Sequence, residues 1–297
     1  MSRVNILMDM SMYDLFLLCP ERFRYRYKMN KSLPKKAMPL DRGTIIHVGQ
    51  EFYYEALRNG VKYQERVDLA LMKIKEAGVI QSDLEPEYIS HIVEVMEQYY
   101  DFWRYQDEKM VIHDVEKSFI KVIYEDDELR IATSGKIDLM FTDDRYQEAP
   151  MDHKSYDRYY DGGRLVNQFR CYCNAVERNV LIVNKIGMHK LDGKKPLKPE
   201  EKFLRIPMSY DPLMLGEWRD NVVLNMMYYL QCEATGKWPM NETSCDKYNR
   251  KCEYYDICDS SGMPAKLFKI ANNYINIEPW DVTKILKKSS TILEKSE

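Results

Sequence analysis

The chain has 297 residues, 45% of them hydrophobic and 31% charged, so it can build one large core or two small ones and still cover them. Its formal charge of −3 excludes a globally basic nucleic-acid binder, so any such surface must be a local patch. The first ten residues lack the layout of a secretory signal, and no run approaches the roughly 20 apolar residues of a membrane helix. Seven cysteines in that setting argue against a disulfide framework, and the expectation is a cytoplasmic protein whose thiols are free or bound to metal.

Ser11, followed three residues later by Asp14, resembles a helix-start box, with a short helix over 12–18 that stops near Cys19-Pro20. Next, Arg22, Arg24, Arg26 and Lys28 alternate with Phe23, Tyr25 and Tyr27, and Lys35 and Lys36 extend the basic character. Such interleaving suits a nucleic-acid backbone and its bases, and equally a solvated basic face beside packed rings. Apolar spacing predicts helices over 43–58, 64–77 and 87–105, the first carrying His47 and ending at Asn59-Gly60.

The pattern then turns to strands. V-I-H-D-V-E-K-S-F-I-K-V-I-Y and E-L-R-I-A-T-S-G-K-I-D-L-M-F flank an acidic turn at 125–127, Asp143-Asp144 marks another turn, and a third strand spans 150–155. A helix over 168–178, two strands in 179–187 and 202–208, and a long helix opened by Asp211-Pro212 and closed by Gly236 follow. Beyond a cysteine-rich stretch, 266–277 reads as helix or strand and 281–293 as an amphipathic helix. This tail can pack on the core or bind a protein partner.

An acidic-x-Lys triplet is weak alone, and Asp107–Lys109, Asp192–Lys194 and Glu200–Lys202 are decoys in loops or element ends. Asp152-His153-Lys154 lies on a strand, where Asp152 and Lys154 share a face, and Asp138 on the preceding strand can come alongside. Two carboxylates, with the His153 carbonyl, suit Mg²⁺ or Mn²⁺. A lysine there can orient an attacking water or neutralise charge on a phosphate. Gln168 and Tyr172, four apart, share the face of the next helix.

G-x-I-D, D-x-K and Q-x-x-x-Y in this order resemble the PD-(D/E)XK nuclease superfamily, and more closely the RecB-type exonucleases, including the AddB nuclease domain and the CRISPR-associated RecB-like exonucleases. Those proteins carry a histidine in a context resembling G-T-I-I-H, which makes His47 a metal ligand with Asp138 and Asp152. Glu116 resembles the supporting acid of the family's first motif. The resemblance covers roughly residues 12–178 and the cysteine tail. It implies Lys154 assisting the water, Gln168 and Tyr172 supporting the site, and Arg22, Arg24, Arg26 and Lys28 steering DNA.

Cys245, Cys252 and Cys258 cluster within fourteen residues and need a fourth ligand, for which Cys19 is the candidate; Cys171, Cys173 and Cys232 read as packed thiols. The RecB-like subgroup places one cysteine before the core and three after it, around a 4Fe–4S cluster. Here six residues separate the first two tail cysteines, where that subgroup usually has two, and zinc can use the same four thiolates.

The expected fold is therefore α/β: a restriction-endonuclease-like central mixed sheet flanked by helices, its N- and C-terminal segments joined by a four-cysteine metal cluster. The segments are 1–42 (basic and aromatic), 43–110 (helical), 111–210 (nuclease core) and 211–297 (helix, cysteines and tail). The expected function is a metal-dependent DNA exonuclease acting on single strands or ends, in replication, recombination, repair or CRISPR adaptation, from a bacterial or viral source. The rivals are a nuclease-fold module that holds DNA ends and cuts little, and a cysteine-cluster redox or metal sensor.

Overall fold

The computed structural model describes residues 3–34, 38–80, 84–157, 163–188, 197–247 and 250–286. Lys35, Lys36, the Asp192–Lys194 triplet and the end of the tail helix lie outside the described residues.

In chain order, β1 (Val4–Asp9) leads into α1 (Met10–Leu18), α2 (Pro20–Phe23), a π-helical stretch (Arg24–Lys28) and β2 (Lys31–Ser32). Helices α3 (Met38–Arg58), α4 (Tyr63–Ile80) and α5 (Pro86–Asp107) precede the long strands β3 (Val111–Glu125) and β4 (Leu129–Thr142), then β5 (Ala149–Tyr156) and α6 (Asn167–Val176). β6 (Val180–Gly187), α7 (Pro199–Lys202), β7 (Phe203–Ser209) and α8 (Pro212–Thr235) follow. The last elements are a 3₁₀ turn (Glu242–Ser244), β8 (Asp246–Lys247), β9 (Arg250–Lys251), α9 (Tyr255–Cys258), α10 (Met263–Asn273), β10 (Ile275–Asn276) and α11 (Val282–Leu286). One sequence expectation is corrected, and one element goes beyond what the sequence predicts. The first helix is capped by Asp9, whose side chain accepts from the Met12 N–H at 2.8 Å, and not by Ser11. The N-terminal stretch also holds a strand, β1.

The chain forms two compact units, each built from several segments: residues 1–36, 120–134 and 216–284, and residues 37–119, 135–215 and 285–297. In the first unit β1 pairs in parallel with Leu129–Ser134 of β4. Phe16 and Phe23 pack edge-on against Tyr229, and Phe23 stacks on Trp238 at 5.8 Å, which joins the N-terminal helices to the end of α8. The Asn241 amide donates to the Leu18 carbonyl at 2.9 Å, and its backbone N–H points at Cys19 Sγ at 3.4 Å.

The second unit is a mixed sheet flanked by helices. Its strands run in the order β4, β5, β6, β7, paired antiparallel, parallel and antiparallel. Alternation along the strands sends Leu139, Phe141, Met151, Ile182 and Phe203 to one face, against α3, α4 and α5. Met140, Leu181, Val183 and Met208 go to the other, where Ile137 joins them against Phe169, Tyr172 and Cys173 of α6. Gly49 lets α3 approach α4: a methyl group there would lie 2.5 Å from the Ile74 side chain.

Candidate metal centre

The site begins where a ladder stops. β4 and β5 pair at Leu139 with Met151, Met140 with Pro150 and Phe141 with Ala149. One more step in that register would set Asp138 opposite Asp152. Instead, the His153 N–H turns to the Asp138 side chain and donates to Oδ2 at 2.6 Å. From Met151 onward β5 pairs in parallel with β6, so Asp152 and Lys154 keep a firm backbone on one side only.

Asp152 is completely buried, and the Lys154 ammonium lies 3.0 Å from its Oδ1 and 2.8 Å from its Oδ2. Burial opposes charge on Lys154, but Asp152 and Asp138 outweigh it and hold the lysine protonated. Burial, and then the Asp152 carboxylate, push the Asp138 carboxyl up to about 8. Such a group is poised to exchange its proton for a cation.

His47, on α3, brings Nδ1 to 3.5 Å from Asp138 Oδ1. Burial and the neighbouring Lys154 charge lower its basicity, which favours the neutral imidazole that ligates metals. Glu116 arrives from β3 with an unusual backbone: its φ is +54°, the left-handed region, inside a strand. A non-glycine residue there carries strain of about 1–3 kcal/mol, a cost that clusters at functional sites. Its side chain is paired with Lys136 of β4, Nζ to Oε2 at 3.4 Å. His47, Glu116 and Asp138 each offer a ligand atom within 4.8 Å of the others, and they are the only such set of three or more His, Cys, Asp or Glu among the described residues.

Gln168 and Tyr172 act together on the backbone of β4. The Gln168 amide donates to the Tyr172 hydroxyl at 2.8 Å, and that hydroxyl donates to the Lys136 carbonyl at 2.6 Å. The pair thus ties α6 to β4 two residues before Asp138. Gly135 makes room for this: a Cβ there would lie 2.9 Å from the Phe119 ring and 3.3 Å from Tyr172.

Behind β5, on the α3–α5 face, lies a buried polar chain that sequence reasoning missed. Asn184 donates to His153 Nδ1 at 2.7 Å and to the Tyr99 hydroxyl at 2.9 Å. Arg205 reaches both Tyr54 and Tyr99, stacks on Trp103 and pairs with Asp107 at 2.6 Å. Asp107 belongs to a decoy triplet, yet it is fully buried. An arginine in a strand and an aspartate at a helix end carry no signal in the sequence that they meet.

Arg22 pairs with Glu253 at 3.1 Å, Arg24 with Glu21 at 2.6 Å and Lys28 with Glu233 at 2.9 Å, all within the first unit. Phe23 and Tyr25 are core residues and are not open to bases. No disulfide joins any of the seven cysteines. Cys19, Cys245, Cys252 and Cys258 share the first unit, and burial together with neighbouring cysteines raises the thiols of Cys245, Cys252 and Cys258. Burial, the Glu21 carboxylate and the other three cysteines push the Cys258 thiol up to about 12.

Residues 10–259 match a family model described as the PD-(D/E)XK nuclease superfamily. No curated protein matches the chain. A solved structure described as "Crystal structure of SSO0001" is similar at 10% identity and a TM-score of 0.31, covering 75% of this chain and 77% of that one. No helix among the described residues is long and apolar enough to cross a membrane.

Proposed function

The chain belongs to the PD-(D/E)XK nuclease superfamily, and from that premise we propose that it is a divalent-metal-dependent DNA exonuclease acting on single strands or DNA ends. The observation that carries this reading is the convergence of His47, Glu116 and Asp138 beside the Asp152–Lys154 pair. One imidazole nitrogen and two carboxylates suit Mg²⁺ or, with its greater tolerance of nitrogen, Mn²⁺. Glu116 thereby moves from supporting acid to ligand, and Asp152, whose charge already acts on Asp138, stands as the acid on the β5 side. When bound, the ion polarises a phosphate oxygen and lowers the pKa of an attacking water.

The residues divide the remaining work. Lys154, held protonated, serves as a charge and a hydrogen-bond donor and not as a base; it orients the water or meets charge developing on the phosphate. Tyr172 and Gln168 fix β4 so that Asp138 keeps its place. The deciding experiment is a time course on end-labelled single- and double-stranded DNA with Mg²⁺ or Mn²⁺. Folded protein that degrades no DNA form with Mn²⁺ refutes the reading. Cleavage unchanged in both Asp152→Ala and Lys154→Ala would place any activity elsewhere.

Cys19, Cys245, Cys252 and Cys258 form the second candidate centre, for a structural 4Fe–4S cluster. A single zinc with bonds of about 2.3 Å draws its sulfurs to within about 4 Å of one another. In this structure no three of these thiols meet within 4.8 Å. In a 4Fe–4S cluster each thiolate binds its own iron, so wider spacing is tolerated. Protein purified without oxygen should contain iron and acid-labile sulfide, and Cys252→Ser should lose both; colourless protein holding stoichiometric zinc would overturn the assignment.

A further inference from the structure

The carboxylate centre contains a lysine that the D-x-K motif does not include. Lys136 lies on β4 two residues before Asp138, its backbone carbonyl held by the Tyr172 hydroxyl at 2.6 Å. Its ammonium group sits 3.4 Å from Glu116 Oε2 and acts electrostatically on Asp138. Lys136 is thus the counter-charge of one candidate ligand, as Lys154 is of Asp152. The two cations come from different strands and bracket the acids. The Lys136 side chain keeps 19% of its surface exposed, whereas the Glu116 side chain keeps 9%.

The charge balance points to what Lys136 does. Three carboxyl groups (Glu116, Asp138 and Asp152) are gathered with two ammonium groups, and with all five ionised their formal charges sum to one net negative charge. One divalent ion reverses that to one net positive charge, which a single phosphodiester neutralises. Without Lys136 the loaded site would be neutral and would have no net attraction for the phosphate. A divalent ion on Glu116 also replaces Lys136 as that carboxylate's cation.

With the nuclease function as its premise, we propose that Lys136 is a second substrate-contacting cation, released from Glu116 by the bound ion to hold a phosphate oxygen of the DNA strand. It acts as a point charge on the backbone and so reads no sequence. Lys154 and Lys136 then divide the phosphate contacts between the β5 and β4 sides of one centre.

The test compares wild type, Lys136→Met and Lys136→Arg. Affinity for a fluorescent single strand is measured by anisotropy across a range of salt, with Ca²⁺ as the ion, over an interval in which the strand stays intact on gels. Mn²⁺ binding is titrated separately by calorimetry. Losing one phosphate contact should make the slope of log affinity against log salt shallower by about 0.7 and weaken binding about tenfold. Lys136→Arg should restore the slope. Mn²⁺ should bind Lys136→Met at unchanged stoichiometry and no more weakly, since a competing cation is gone. Should the methionine variant not fold, Lys136→Gln removes the charge with a polar group in place. An unchanged salt slope in a protein whose wild type cuts DNA overturns the inference. A loss of Mn²⁺ affinity with DNA binding intact does so too, because it makes Lys136 only a support for Glu116. Wild type that neither binds nor cuts DNA with any ion sinks the nuclease reading itself, and this inference with it.

Discussion

Replacing Glu116 by alanine and, separately, by glycine separates its two properties, a carboxylate in the metal set and a left-handed backbone in a strand. Both variants lose the ligand and the Lys136 ion pair, so those losses cancel in the comparison. What remains is the backbone. At an ordinary strand position glycine is less stable than alanine by about 0.5–1 kcal/mol. At φ +54° the order should invert, because alanine keeps the clash of its Cβ and glycine does not. A left-handed penalty of about 1–2 kcal/mol, set against that entropic cost of glycine, leaves Glu116→Gly ahead by up to about 1.5 kcal/mol. Urea unfolding of the two metal-free variants measures the difference, and calorimetry with Mn²⁺ should show binding lost or weakened at least tenfold in both. Alanine more stable than glycine would mean that the strand is regular at this point. Mn²⁺ binding undiminished in both variants would remove Glu116 from the ligand set.

Tyr172→Phe leaves the Lys136 carbonyl without its donor, so stability should fall by about 1–3 kcal/mol; kcat should fall with KM little changed, and an unchanged kcat would show that β4 needs no tie to α6. Asp107→Leu should cost about 3–5 kcal/mol by stranding Arg205, whereas Asp107→Leu with Arg205→Met should recover most of that loss; additive effects in the thermal unfolding of the double variant would show that the pair is not coupled. Saturating Mn²⁺ at about a hundred times its Kd should stabilise the protein by about 2.7 kcal/mol, and EDTA should reverse the shift in the melting curve; a curve indifferent to Mn²⁺ would mean that no ion is held by the folded state.

Much of the second unit was legible in the sequence because its signals are local. The apolar stripe through Ile92, Met96, Tyr99 and Trp103 marks α5, and the apolar run from Ile137 to Phe141, interrupted by Asp138, marks β4. The four-residue spacing of Gln168 and Tyr172 put them on one helix face, but spacing could not tell that they bond each other and a backbone carbonyl. β1 was illegible because V-N-I-L-M-D alternates weakly and owes its conformation to a partner more than a hundred residues away. The tail stretch that read as helix or strand is both, α10 followed by β10. The left-handed turn at Glu116 has no sequence signal, since glutamate is not a residue that seeks that conformation. Lys136 was passed over because nothing in G-K-I-D distinguishes a solvated lysine from one paired to an acid on another strand.

The aromatic cluster of the first unit sets a timetable for synthesis. Phe16 and Phe23 leave the ribosome roughly two hundred residues ahead of Tyr229 and Trp238, rings that pack against them. At roughly 5–20 residues per second, the uncovered rings and Cys19 wait on the order of ten to forty seconds. Residues 37–119 and 135–215 of the second unit are made before that wait ends. During synthesis these apolar rings and Cys19 therefore stay uncovered while the strands that carry Asp138 and Asp152 are already made.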